Sequence, residues 1–307
     1  MYDVIIIGGG PAGASAAVYT ARSELKTIVL DKAPGAGALA LTHKIANYPG
    51  VAEELSGKEL LERIREQARG FGAEFKQASI TAVDLTGDTK YVFTSEGMFE
   101  GRAVIVATGS KGRNRMLPGE EKLLGMGVST CATCDGAFYK GQEVAVIGDT
   151  EEALEEAAAL TKFVSKIHFI VPRPELQGVS HAPELEQTQM YYRTRPLEIV
   201  GEDHVTGLRI KSSDGNEQLL NIEGVFVFMS GSKPGTDFLD GQVPLDKDGF
   251  MVLDELMQSP VSGVFGAGEV RRTPVKQAVV AAADGAIAAM AVDKFIHKRE
   301  QLVPQYK

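Results

Sequence analysis

One layout, used twice at an offset of 140 residues, restricts this chain to few folds. Val4-Ile5-Ile6-Ile7 is a continuous β-branched run closed by Gly8-Gly9-Gly10-Pro11-Ala12-Gly13, and a small-residue helix over 14–22 follows. A short run that is apolar at every position and bounded by glycine suits a parallel strand buried on both faces. Thr27-Ile28-Val29-Leu30 reads as a second strand ending at Asp31, which makes a βαβ unit with G-x-G-x-x-G at Gly8, Gly10 and Gly13. The layout returns at Val144-Ala145-Val146-Ile147, followed by Gly148-Asp149-Thr150-Glu151-Glu152-Ala153, a helix, and a strand over 167–171. Two nucleotide-fold units are therefore expected.

The first glycine motif has a mechanism. Gly8 permits the tight turn, Gly10 lets the backbone approach a pyrophosphate, and Gly13 allows close helix–strand packing. The helix N-terminus then faces the phosphates. Asp31, 18 residues after Gly13, stands where an acid binds a ribose hydroxyl. A merely structural glycine turn would not need the strand, helix and acid together. The second motif is damaged. Thr150 replaces the middle glycine, and its Cβ obstructs close backbone approach. From 149 to 156, five of eight residues are acidic, which favours the helix start but repels a phosphate. The second unit is expected to keep its architecture while losing or relocating its ligand.

The remaining pattern places these units. Ser56-Gly57-Lys58-Glu59 has capping-box spacing and opens a helix to about residue 69. A strand leads into Ala107-Thr108-Gly109, and another into Gly266-Ala267-Gly268-Glu269. Thr273 followed by Pro274 predicts a helix start running to about 295. The chain has 307 residues, 44% apolar and 24% charged, an ordinary globular composition. Its formal charge of −9 disfavours nucleic acid as a partner. No targeting or membrane-spanning stretch is visible, so a soluble, cytoplasmic protein is expected.

There are two cysteines, both in Cys131-Ala132-Thr133-Cys134, followed by Asp135-Gly136. Two cysteines cannot frame a chain of this length. The spacing reads as redox or metal chemistry, and a redox dithiol is favoured because structural zinc wants four ligands and no second pair exists. Asp135 either exchanges the thiol proton or caps a turn. Basic clusters at Lys111-Gly112-Arg113-Asn114-Arg115, Arg271-Arg272 with Lys276, and Lys298-Arg299 are solvated surface or a docking face for an acidic protein.

Together these motifs resemble the low-molecular-weight thioredoxin reductases over nearly the whole chain, with Asn47-Tyr48-Pro49-Gly50 and Lys276-Gln277-Ala278 adding to the likeness. The resemblance implies an α/β fold with two Rossmann-like, three-layer (ββα) domains, the second inserted in the first. Residues 1–112 and 245–307 would form a discontinuous FAD-binding domain, and 113–244 a dithiol domain with a degenerate NADPH-like fold. It implies an FAD site built from Gly8, Gly10, Pro11, Ala12 and Gly13, with Asp31, Lys32 and Asn47. Ala107, Thr108 and Gly109 would add to it, as would Gly268, Glu269, Lys276, Gln277 and Ala278. Cys134 would face the flavin, Cys131 would attack a thioredoxin-like protein disulfide, and Asp135 would serve as the acid. A homodimer is implied.

Departures from that family concern the donor. Besides the damaged second glycine motif, the usual His-Arg-Arg is reduced to Arg173 in Val171-Pro172-Arg173-Pro174. The flavin-side Gly-Gly-Gln is replaced by Ala36-Gly37-Ala38, and the late-turn Asp by Glu269. This pattern is similar to the pyridine-nucleotide-independent branch: ferredoxin-dependent flavin thioredoxin reductases, or diflavin-linked disulfide oxidoreductases. The expected donor is ferredoxin or another source than NADPH, with a second flavin in the NADPH-like pocket as one route; Tyr191, Tyr192 or Tyr306 would be its platform. The alternatives are a conventional NADPH enzyme and a non-catalytic flavin/dithiol redox sensor.

Overall fold

The structure, a computed structural model, describes residues 1–35, 37–111, 116–179, 185–229 and 233–302. The chain divides into two compact units, Met1–Gly112 with Ser232–Lys307, and Arg113–Gly231. The first begins with β1 (Tyr2–Ile7), α1 (Pro11–Arg22), β2 (Thr27–Asp31), α2 (Gly57–Gly70) and β3 (Glu74–Gln77). It continues with β4 (Ile80–Asp84), β5 (Lys90–Thr94), β6 (Gly97–Val106) and β7 (Ser110–Lys111). The second holds α3 (Glu120–Leu123), β8 (Val128–Ser129), α4 (Ala132–Asp135), β9 (Glu143–Gly148), α5 (Glu151–Leu160) and β10 (Lys166–Val171). Then come β11 (Thr188–Tyr192), β12 (Thr194–Gly201), β13 (Val205–Ser212), β14 (Glu217–Asn221) and β15 (Gly224–Phe228). The chain returns to the first unit with β16 (Lys233–Pro234), β17 (Val264–Gly266) and α6 (Ala278–Ile296).

In the first unit the sheet runs β3-β2-β1-β6-β5-β4, with β17 also on β6. Strand β6 is shared: its first half pairs antiparallel with β5, its second half parallel with β17, and β1 lies along it in parallel. Strand β1 shows why its sequence is apolar throughout. Val4 and Ile6 pack on the alanine-rich faces of α1 and α6, while Ile5 and Ile7 pack on the opposite layer with Leu85, Val92, Leu239 and Val243. All four are buried, each worth roughly 1.5–3 kcal/mol of transfer free energy. Helix α2 carries the expected capping box: the Ser56 backbone N–H donates to Glu59 Oε2 at 2.8 Å and the Glu59 N–H to Ser56 Oγ at 3.2 Å.

The second unit repeats this plan in a parallel sheet, β11-β10-β9-β15-β8. Val144 and Val146 face α5, whereas Ala145 and Ile147 face the antiparallel β12-β13-β14 layer through Leu208 and Ile210. The α/β class with two Rossmann-like units is thus the observed architecture.

Two expectations need correction. Residues 233–244 belong with the first unit, not with the dithiol unit: β16 pairs with β7, and Leu239 and Val243 lie in the first unit's core. Thr273 does not start the last helix. Its hydroxyl is engaged locally with Val275, accepting from the N–H at 3.4 Å, and α6 begins at Ala278 with Gln277 as N-cap. A Ser/Thr turn of this kind competes with helix initiation.

Candidate active site

The first glycine turn sits at the ends of β1, β2, β6 and β17. Gly8 has φ +104°, and a Cβ there would lie 2.4 Å from the Ala107 carbonyl oxygen. A Cβ on Gly13 would lie 1.8 Å from the Gly8 carbonyl oxygen, so both positions exclude any larger residue. Around the Cβ position of Gly10, by contrast, no atom lies within 4 Å. Gly10 is the N-cap of α1, Pro11 occupies its first turn, and no side chain caps it. The N-terminal N–H groups of α1 are therefore left for an anion, and the open Gly10 lets a phosphate reach them. Ala12 is buried against the Gly268–Glu269 turn, 3.0 Å from where a Gly268 Cβ would stand. The residues fit the pyrophosphate of FAD.

Asp31 lies beside this turn, accepting the Gly9 N–H and the Ala33 N–H, each at 3.0 Å. A side chain that sequence reasoning missed holds both. Arg65, on α2, donates from Nε and Nη2 to the Gly9 carbonyl at 3.0 and 2.7 Å, from Nη1 to the Pro34 carbonyl at 2.9 Å, and meets Asp31 Oδ2 at 3.2 Å. Its side chain is only 7% exposed. The only signal in the sequence was a cation on the buried stripe of an amphipathic helix.

The other expected flavin contacts divide. Asn47 Nδ2 donates to Gln277 Oε1 at 3.1 Å, joining residues 230 positions apart. Ser110 donates to Glu269 at 2.6 Å, and Thr108 Oγ1 donates to the Gly235 carbonyl at 2.8 Å. Ala107 continues the strand by donating its N–H to Ile7, and the Gly109 carbonyl accepts from Gly235. Gly268, Glu269, Lys276 and Gln277 line one cleft that also includes Asp284. Lys32 is exposed, and Ala278 is the first residue of α6. Asp284, which was not foreseen as a site residue, is buried. It accepts from the Gly268 N–H at 3.2 Å and from Arg271 at 2.8 and 2.7 Å, fixing the late turn to α6.

In the second unit, Cys131 and Cys134 form a disulfide with Cα atoms 5.3 Å apart. Cys131 caps α4, whose one turn carries Cys134 and Asp135. Three contacts fix the turn. The Ala132 N–H donates to Glu156 Oε2 of α5 at 2.7 Å, the Asp135 N–H to the Cys131 carbonyl at 3.2 Å, and the Ser129 hydroxyl to Asp135 Oδ2 at 2.6 Å. Burial pushes the Asp135 carboxyl above its ordinary value, against the lowering effect of the Ser129 hydrogen bond. Tyr139 is pushed up to about 12 by burial and then by the neighbouring Asp135 charge. Ser129 and Glu156 were not foreseen.

At the second glycine turn, Thr150 is the N-cap of α5, its side chain accepting from the Ala153 N–H. Asp149 is buried, and its Oδ2 accepts from Arg173 Nε at 2.6 Å. The remaining arginine of the expected phosphate site is thus paired with an acid of the turn itself.

The family pattern described as "Pyridine nucleotide-disulphide oxidoreductase" matches residues 2–285. The chain belongs to that family. It is similar to a thioredoxin reductase of Aquifex aeolicus (strain VF5), 48% identical over 100% of this chain and 97% of the relative. It is also similar to the solved structure of a thioredoxin reductase from Gloeobacter violaceus, 51% identical, with TM-score 0.60 and coverage of 100% and 97% of the two chains. That of a Streptococcus pyogenes thioredoxin reductase superposes with TM-score 0.90 at 33% identity, covering 97% and 99%. A ferredoxin-flavin thioredoxin reductase from Clostridium acetobutylicum is more distant, 28% identical with TM-score 0.52, covering 97% and 99%. The chain is accordingly a flavin-dependent disulfide oxidoreductase enzyme.

Membership in the family corrects the emphasis on the pyridine-nucleotide-independent branch, which is the more distant neighbour. The ferredoxin expectation gains no support, and the charges help explain why. Lys111 pairs with Asp237, Arg271 with Asp284, Arg272 with Asp246 and Asp248, and Arg299 with Asp293. Basic groups neutralised at home make a weak steering field for an acidic partner. Residues 112–115 of the first cluster lie outside the described residues. The second flavin also gains no support from the near relatives; of its expected platform residues, the Tyr191 hydroxyl is bonded to His168 at 3.0 Å, Tyr192 is exposed, and Tyr306 lies outside the described residues. Ala36 does too. Among the described residues no helix is long and apolar enough to cross a membrane.

Proposed function

We propose that this enzyme is a thioredoxin reductase, carrying electrons through the Cys131–Cys134 pair to a thioredoxin-like protein disulfide. The observation that carries the reading is the C-x-x-C disulfide closed on one helical turn beside a half-buried carboxylate, Asp135, in a chain with an open first glycine turn. FAD, when bound, supplies the two-electron reductant for that disulfide. The turn at Gly8, Gly10 and Gly13 with Pro11 and Ala12 holds its pyrophosphate, Asp31 its ribose, and the cleft at Glu269, Lys276 and Gln277 its flavin side. Lys32, Asn47, Ala107, Thr108, Gly109, Gly268 and Ala278 complete the proposed wall. The family resemblance implies Cys134 as the flavin-side thiol and Cys131 as the attacking one; the thiolate is the reactive form and the second thiol resolves the mixed disulfide. Asp135 takes up and returns the thiol proton. A cytoplasmic setting suits a cycling dithiol, and a homodimer is the assembly that the family resemblance implies.

NADPH is the donor in the first reading, supported by the pyridine-nucleotide description of the family. A second reading, a donor other than NADPH, rests on one observation: Asp149 occupies the turn and pairs with Arg173, where a 2′-phosphate or pyrophosphate needs free positive charge. Stopped-flow mixing of the FAD-loaded enzyme with NADPH separates them. Fast flavin bleaching at micromolar NADPH supports the first reading and ends the second; bleaching absent at millimolar NADPH does the reverse. A Cys134→Ser enzyme that keeps full turnover would remove the reductase reading in favour of a redox sensor.

A further inference from the structure

We propose that Ser129 is a positioning residue that couples the protonation state of Asp135 to the main chain of Cys131. This rests on the dithiol chemistry proposed above and adds to it a residue that the chemistry does not by itself require.

The geometry is local to the second unit. Ser129 is the last residue of β8, is 4% exposed, and lies in register with Phe226 of β15. Its Oγ has three neighbours: Asp135 Oδ2 at 2.6 Å, the Cys131 N–H at 3.0 Å and the Cys131 carbonyl oxygen at 3.3 Å. A hydroxyl carries one proton and two acceptor sites. With Asp135 ionised, that proton points to the carboxylate. With Asp135 protonated, the carboxyl O–H donates to Oγ, and the Ser129 proton turns to the Cys131 carbonyl. The Cys131 N–H is held in both states. The Cys131 carbonyl also accepts the Asp135 N–H at 3.2 Å, so the switched bond falls on the peptide that closes the dithiol turn.

The charged and titratable groups around Asp135 are few. Tyr139 faces it from the turn that follows α4, the two cysteines share its helical turn, and Glu156 reaches in from α5 to the Ala132 N–H. Glu156 carries negative charge and either cysteine acquires it as a thiolate, but burial is what raises the carboxyl, and Ser129 opposes it by donating to the anion.

In the reducing half-reaction Cys131 gives its proton to the Asp135 carboxylate, and the thiolate bonds to one substrate sulfur. The substrate S–S bond breaks with its electron pair on the other sulfur, which takes a proton. Cys134 then loses its proton, attacks the Cys131 sulfur and expels the first substrate sulfur as a thiolate, which is protonated in turn. The enzyme dithiol is oxidised and the substrate disulfide reduced by the same two electrons. Attack therefore speeds up as Asp135 ionises, and Ser129 sets where that rise falls.

The test uses the full-length FAD-loaded protein, reduced with dithiothreitol and freed of it. The protein is mixed by stopped flow with dithiobis-nitrobenzoate, and separately with an oxidised thioredoxin, across the acidic to mildly alkaline range. Ser129→Ala is expected to move the rising limb of the attack rate upward by about one pH unit. On that limb the rate falls about tenfold, while the alkaline plateau is kept. Ser129→Thr should restore the limb, and Ser129→Cys, a weaker donor that keeps the shape, should give a smaller shift in the same direction. With Asp135→Asn the limb should instead follow the thiol's own ionisation, and adding Ser129→Ala should then change nothing. A limb unmoved in Ser129→Ala, or a loss equal at every pH, would overturn the proposal. If the shift appears with the small disulfide but thioredoxin is never reduced, the Ser129 inference stands and the thioredoxin reading fails.

Discussion

Replacing Arg65 with Met tests the first glycine turn without touching a residue that meets the substrate. The stem is kept and the guanidinium lost. Gly9 then loses both hydrogen bonds to its carbonyl, which lies against a side chain only 7% exposed. Orphaning a buried acceptor costs about 1–3 kcal/mol. Asp31 loses its cation but keeps the Gly9 and Ala33 N–H donors, and its side chain is 19% exposed, so its share is well below the roughly 3–5 kcal/mol of a fully buried pair broken on one side. The sum is about 3 kcal/mol. Denaturant unfolding of the FAD-free protein should show that loss as a lower midpoint. FAD affinity should fall at least about tenfold, since each 1.4 kcal/mol is a factor of ten and the loosened turn is the proposed pyrophosphate site. Arg65→Lys, which reaches one acceptor but cannot fork, should fall between. A variant with an unchanged midpoint and unchanged FAD affinity would refute the claim that Arg65 staples the turn.

Further predictions follow from the same geometry. Gly13→Ala should fail to bind FAD, because its Cβ would stand 1.8 Å from the Gly8 carbonyl oxygen; equilibrium dialysis against FAD checks this. Cys134→Ser should abolish turnover yet trap a mixed disulfide through Cys131, seen as a mass increase equal to the substrate. Asp135 has a raised pKa in the fold, so it binds its proton more tightly folded than unfolded, and its contribution to stability falls as pH rises from the unfolded to the folded value. Asp135→Asn should therefore unfold no more easily than wild type at neutral pH, and its midpoint should lose that fall with pH, while its disulfide reduction slows.

Much of the fold was legible because its strands are short, apolar and glycine-bounded. The runs at 4–7 and 144–147 declared strands covered on both faces, and the structure covers them with a helical layer and a β layer in each unit. The capping box at Ser56 was legible because it is a contact between neighbours in sequence. Arg65, Ser129 and Asp284 were not, since their partners lie 56, 6 and 16 positions away and nothing in their local pattern marks them. Thr273 misled for the opposite reason: a favourable local cap signal was diverted into a turn at Val275. The position of residues 233–244 was hidden because membership in the first unit shows only in tertiary contacts, the two-residue pairing of β16 with β7 and the packing of Leu239 and Val243.

The most direct test removes the donor from the question. FAD-loaded enzyme is reduced anaerobically with dithionite, freed of excess reductant, and mixed with oxidised thioredoxin while free thiols on the thioredoxin are counted. The account predicts that thioredoxin gains a dithiol as Cys131 and Cys134 return to the disulfide, and that Cys134→Ser yields no released dithiol. Reduced wild-type enzyme that leaves the thioredoxin disulfide intact would contradict it.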